Sequence, residues 1–74
     1  MSFTGYRISD DRIYGPHGYT QYRILSGRIY GPSGYAQTWI NDSGRIYSTS
    51  GYTGCWVNDG RIFGRADQLP WEQE

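Results

Sequence analysis

Lysine is missing from this chain, histidine and cysteine occur once each, and no long apolar run is present. Each shortage closes a route. A lone Cys55 cannot form an intrachain disulfide, which excludes the multi-cysteine framework of small secreted scaffolds. His17 has no second imidazole with which to share a metal ion. Seven arginines balance seven acidic residues, and the resulting formal net charge of zero removes the broad pull toward polyanions on which nucleic-acid and anionic-membrane binders rely. No stretch nears the roughly 18 apolar residues of a membrane span, and the opening Met1 to Arg7 lacks a basic segment followed by an apolar one. A cytoplasmic location is therefore expected. Strong helix formers are scarce, whereas eleven glycines, eight tyrosines, three tryptophans and two phenylalanines favour strands and tight turns. At 74 residues the chain is one small domain with a thin core, since a chain of this size buries only about 60% of its unfolded surface. Regular hydrogen bonding or self-association must supply the rest.

What the chain does contain is a repeat. Asp11-Arg12-Ile13-Tyr14, Gly27-Arg28-Ile29-Tyr30, Gly44-Arg45-Ile46-Tyr47 and Gly60-Arg61-Ile62-Phe63 recur at steps of 16, 17 and 16. A fixed period of this kind outranks local propensity as a fold signal. Between the copies lie His17-Gly18-Tyr19, Ser33-Gly34-Tyr35 and Ser50-Gly51-Tyr52, each followed by a stretch ending in Ile24, Ile40 or Val57. The opening segment from Phe3 to Ile8 is that same stretch without its leader, with Tyr6-Arg7-Ile8 matching Tyr22-Arg23-Ile24. The chain thus starts half a repeat in, and the pattern predicts an all-β antiparallel meander of about eight short strands. Residues 1–64 form the repeat domain, and residues 65–74 form a tail that leaves the pattern.

Turn chemistry agrees. Asp59-Gly60 between apolar runs is a strong two-residue hairpin signal, because a type I′ turn needs positive φ at both central positions. Ser26-Gly27 and Asp10-Asp11 occupy the same place. Asn41-Asp42-Ser43-Gly44 is one residue longer, which fits a three-residue loop closed by a left-handed glycine and explains the step of 17. At the other hairpin ends, Gly15-Pro16-His17-Gly18 and Gly31-Pro32-Ser33-Gly34 place proline to start a turn and glycine where φ becomes positive. Ser48-Thr49-Ser50-Gly51 keeps only the glycine.

These turns set a register that pairs Ile8 with Ile13, Ile24 with Ile29, Ile40 with Ile46 and Val57 with Ile62. Antiparallel partners share a side, so the aliphatics fall on one face with Tyr6, Tyr22, Ala36, Thr38, Thr53 and Cys55. The opposite face carries Phe3, Tyr14, Tyr19, Tyr30, Tyr35, Trp39, Tyr47, Tyr52, Trp56 and Phe63, with the arginine column Arg12, Arg28, Arg45 and Arg61. Long strands alternating with short ones accumulate stagger in one direction. That stagger demands strongly tilted strands, as in a small barrel or a coiled ribbon of hairpins.

The aromatic face is the candidate functional surface, with Tyr30, Tyr35, Trp39, Tyr47, Tyr52, Trp56, Arg28 and Arg45 as its partner-binding residues. So many rings on so small a sheet are expected to pack, either within a barrel or against the same face of a second subunit. The expectation is a structural or protein-interaction module that self-associates. The alternative is a module that stacks glycans or quaternary ammonium groups on Tyr and Trp platforms. A nucleic-acid track along the Arg and Tyr columns is disfavoured by the neutral charge. The glycine-aromatic rhythm is superficially similar to the choline-binding repeats of bacterial cell-surface proteins, which are longer and carry an adjacent aromatic pair; no family is assigned on it.

No catalytic, metal or cofactor constellation stands out, and the chain is read as a non-enzyme without a cofactor. His17 fills a turn position held by Ser33 and Ser50 in the sister repeats, which suits a solvated turn residue. Cys55 aligns with Tyr22 and Thr38 on the aliphatic face, as a small buried filler would. The column arginines are expected to pair with Asp42, Asp59 or Asp67 and to stack on neighbouring tyrosines. In the tail, Leu69 and Trp71 either stay disordered, plug an open end of the sheet, or hook a neighbouring subunit.

Overall fold

The computed structural model describes residues 3–72, which form eight strands followed by two short 3-10 turns. In chain order these are β1 (Phe3–Ser9), β2 (Arg12–Gly15), β3 (Gly18–Leu25), β4 (Arg28–Gly31), β5 (Gly34–Ile40), β6 (Arg45–Ser48), β7 (Gly51–Asn58) and β8 (Arg61–Gly64). Neighbours in sequence pair antiparallel all the way round, and β8 returns to pair with β1, so the sheet closes as a barrel.

All four expected aliphatic pairings are present: Ile8 opposite Ile13, Ile24 opposite Ile29, Ile40 opposite Ile46 and Val57 opposite Ile62. Turn chemistry accounts for them. Asp10 and Asp11, Ser26 and Gly27, and Asp59 and Gly60 all have positive φ, the geometry that lets a two-residue turn follow the twist of its strands. In the longer loop, Gly44 sits at φ +84, and the Asn41 side-chain carbonyl accepts the amides of Ser43 and Arg45, both at 3.0 Å. These four turns also bond each hairpin to the next. The carbonyls of Asp11, Gly27, Gly44 and Gly60 accept the amides of Ile24, Ile40, Val57 and Ile8, each at 2.7 Å, so the fourth bond returns to the first hairpin.

A second regular feature, absent from the sequence reading, is a bulge in every long strand. Between the pairs Tyr14–Tyr19 and Ile13–Tyr22, β3 carries Thr20 and Gln21 without partners, and β1, β5 and β7 break register at the corresponding place. Two extra residues preserve the in-and-out alternation while bending the strand, which is how the staggered sheet curls into so narrow a barrel. The second bulge residue takes positive φ each time, as Gly5 (+90), Gln21 (+76), Gln37 (+62) and Gly54 (+85). In three bulges a threonine repairs the ladder. Thr4, Thr20 and Thr53 donate to the carbonyls of Ile62, Ile13 and Ile46 at 2.6, 2.8 and 2.7 Å, and accept the amides of Tyr6, Tyr22 and Cys55. The fourth bulge has Ala36 there.

The core is a layer of Ile13, Ile29, Ile46 and Ile62, all fully buried, with Tyr22, Thr38 and Cys55 buried beside them and Tyr6 packed against them. This is the aliphatic face expected from the sequence. Tyr6 and Tyr22 lie over Gly15 and Gly31, where a Cβ would come within 2.6 Å of each ring. Those glycines are thus needed for ring clearance. Where Thr38 replaces the tyrosine, its partner can be Ser48 instead of glycine.

The tail seals the barrel at the end away from the tight turns. Its 3-10 turns, Ala66–Gln68 and Pro70–Glu72, bring Leu69 to full burial in the core. Trp71 packs against Tyr6 and Tyr22, with both ring centroids 5.4 Å away. Of the three readings of the tail, residues 66–72 follow the plug. Burying a leucine side chain contributes about 1.5–3 kcal/mol, a large share of the stability of so small a domain.

Candidate functional site

Closure of the barrel decides where the aromatic face points. The core side is filled by the isoleucines, Tyr6, Tyr22 and the tail, so the ten expected aromatics lie outside, either half-buried or exposed. They do not pack within the barrel. Instead they form four outer rows, each crossing four strands through directly opposed residues. The first runs Tyr19–Tyr14–Arg7–Arg61 and the second Tyr35–Tyr30–Arg23–Arg12. The third runs Tyr52–Tyr47–Trp39–Arg28 and the fourth Phe3–Phe63–Trp56–Arg45.

Within a row the rings touch. Tyr14–Tyr19, Tyr30–Tyr35 and Tyr47–Tyr52 are tilted pairs with centroids 5.5, 5.4 and 5.3 Å apart. Trp39–Tyr47 and Trp56–Phe63 are nearly parallel, at 11° and 13° between planes. Such pairs contribute about 0.5–1.5 kcal/mol each beyond the area they cover, so part of the aromatic face stabilises the barrel from outside.

All eight residues singled out in the sequence fall on the outer face of β4–β7. Arg28 opposes Trp39, Tyr30 opposes Tyr35, Trp39 opposes Tyr47, Tyr47 opposes Tyr52, and Arg45 opposes Trp56. The longer β5–β6 loop adds Ser43, which the sequence reading did not include; Ser43, Arg45, Tyr52 and Trp56 line an open groove of about 390 Å³. Its only sequence signal was the extra loop residue beside a tryptophan.

The arginines behave differently from expectation. The guanidinium groups that stack are those of Arg7, 5.2 Å from the Tyr14 ring centre, and Arg23, 5.6 Å from that of Tyr30. Neither belongs to the arginine column. The cause is register, because Arg7 and Arg23 occupy the row position that Trp39 and Trp56 take in the other two rows. In the column, Arg61 lies 3.9 Å from Asp59 with both side chains well exposed, a contact of little energetic weight. Arg12, Arg28 and Arg45 have no carboxylate in salt-bridge reach among the described residues.

Groups that could carry covalent or acid–base chemistry are scattered. His17 is exposed in the β2–β3 turn. Cys55 is fully buried, and its thiol donates to the Arg65 carbonyl at 3.1 Å. Burial pushes the thiol pKa above its ordinary 9.0, so the nucleophilic thiolate is disfavoured. Tyr6 donates to the Glu72 carboxylate, and its hydroxyl is pushed up to about 12 by desolvation first and then by that hydrogen bond and charge. Among the described residues no three His, Cys, Asp or Glu side chains group closely enough to hold a metal ion. No helix among them is long and apolar enough to cross a membrane.

No family model, curated protein or solved structure matches the chain.

Proposed function

We propose that this protein is a non-catalytic interaction module that associates with further copies of itself through the aromatic face of β4–β7. One observation carries this reading: a closed barrel has no free strand edge, while Trp39, Tyr47, Tyr52 and Trp56 stand together on its outside. Without an edge, a partner cannot add a strand by backbone hydrogen bonding and must be recognised through side chains. Tyrosine and tryptophan, with large rigid area and few rotatable bonds, are the side chains that dominate such contacts. Sedimentation at micromolar concentration is expected to reveal species heavier than the monomer, and Tyr52→Ser with Trp39→Ser is expected to return them to monomer. A wild-type chain that stays monomeric across that range defeats the reading.

The groove bounded by Ser43, Arg45, Tyr52 and Trp56 favours a second reading, a small-ligand site for glycans or quaternary ammonium groups. Ring faces suit sugar CH groups and cations alike. Glycan panels and choline-type ligands that leave tryptophan fluorescence unchanged rule it out.

A further inference from the structure

Resting on the self-association just proposed, we infer that the contact between copies is heterologous: the arginine-bearing half of one barrel docks on the tryptophan-bearing half of the next. The four outer rows are alike in their tyrosine and phenylalanine positions and differ at the next one. Two rows carry Arg7 and Arg23 there, and two carry Trp39 and Trp56. Each of these is followed by a column arginine. The outer surface is thereby split into opposite sides. Strands β8, β1, β2 and β3 present four exposed arginines, Arg61, Arg7, Arg12 and Arg23, and no tryptophan; β4–β7 present both tryptophans and two arginines, Arg28 and Arg45, each directly opposite one of them. Among the described residues the one carboxylate in salt-bridge reach of these arginines is that of Asp59, 3.9 Å from Arg61 with both side chains well exposed.

Each side is incomplete in a way that the other relieves. Arg7 stands directly opposite Arg61, and Arg12 directly opposite Arg23. Like charges in such cross-strand positions repel, and a partner's ring faces, negative at their centres, offset that repulsion. The favourable contact already occurs within the chain, where Arg7 and Arg23 lie over Tyr14 and Tyr30. Packing the aromatic side against itself leaves the Arg7–Arg61 and Arg12–Arg23 juxtapositions in place. A specific interface needs about 800 Å² per partner. The whole molecule exposes 4736 Å², so two opposite sides can each supply such an area.

A head-to-tail contact between opposite sides leaves one side free at each end, so assembly continues past the dimer into a chain or ring. The test is complementation with full-length variants. Arg7→Ser with Arg23→Ser removes one side, and Trp39→Ser with Trp56→Ser removes the other. If the tryptophan pair disturbs folding by circular dichroism, Tyr35→Ser with Tyr52→Ser, at two exposed positions, serves instead. Wild-type mass is expected to rise with concentration beyond the dimer. Each variant alone is expected to associate about tenfold more weakly or worse, and an equimolar mixture is expected to form a dimer that grows no further. An arginine variant that associates like wild type, or a mixture that stays monomeric, overturns the heterologous contact while leaving self-association standing. A monomeric wild type removes both.

Discussion

Gln21 and Gln37 sit at φ +76 and +62 in their bulges, where the equivalent residues of β1 and β7 are Gly5 and Gly54. An L-residue in the left-handed region costs about 1–2 kcal/mol, because its Cβ crowds the following carbonyl. Both glutamines are exposed, and neither side chain makes a hydrogen bond among the described residues, so nothing in the folded state offsets that strain. Glycine removes the strain but gives back roughly 0.5–1 kcal/mol through the extra freedom of the unfolded chain. The net expectation is that Gln21→Gly and Gln37→Gly each stabilise by about 0.5–1 kcal/mol. The two sites lie on different strands and are expected to add, for a total of about 1–2 kcal/mol. In a domain of this size that raises Tm by roughly 4–16 °C. The reverse change supplies the control. At Gly5 an added Cβ would meet nothing closer than Pro16, at 3.7 Å, so Gly5→Gln should cost about 1 kcal/mol from φ alone. Thermal and urea unfolding followed by circular dichroism measure all three. A fall in Tm for either glutamine variant, or a neutral Gly5→Gln, would refute the assignment of strain to these bulges.

Two further outcomes follow from the packing inside the barrel. Gly31→Ser places a Cβ where 2.6 Å separates it from the Tyr22 ring, so a loss of about 1–3 kcal/mol is expected, and Tyr22→Thr, which copies the Thr38–Ser48 pair, should recover part of it; strictly additive losses in the double-mutant cycle would show that ring and glycine are not coupled. Tyr6 holds its proton to about pH 12 when folded but to about 10 when unfolded, so its contribution is intact below pH 10 and is lost as pH rises from 10 toward 12. Denaturant midpoints across that window should fall less steeply for Tyr6→Phe than for wild type, and equal slopes would contradict the link.

The repeat made much of this surface readable in advance. Four turns and one apolar period were enough to pair Ile8 with Ile13 and its counterparts, and with them to assign every ring of the repeat to its face, leaving only Trp71 of the tail open. The eight candidate residues then had to fall on adjoining strands. The surroundings of the column arginines were not readable in the same way. Arg7 and Arg23 meet Tyr14 and Tyr30 across the tight-turn hairpins, but what Arg12, Arg28 and Arg45 face depends on the register across the bulged hairpins, and nothing in the composition marks a two-residue bulge whose left-handed position holds Gln21 in one strand and Gly54 in another.

The sequence alone determined the hairpins, because each is a contact between near neighbours enforced by a turn that only certain residues can make. Tertiary structure decided what joins the two ends of the chain. Pairing Phe3 with Phe63, burying Leu69 and setting Trp71 against Tyr6 and Tyr22 are contacts between distant parts of the chain. They depend on the accumulated twist of eight strands and on the volume left inside them. That sum over the whole molecule turned the aromatic face outward and set its arginine-rich strands opposite its tryptophan-bearing ones.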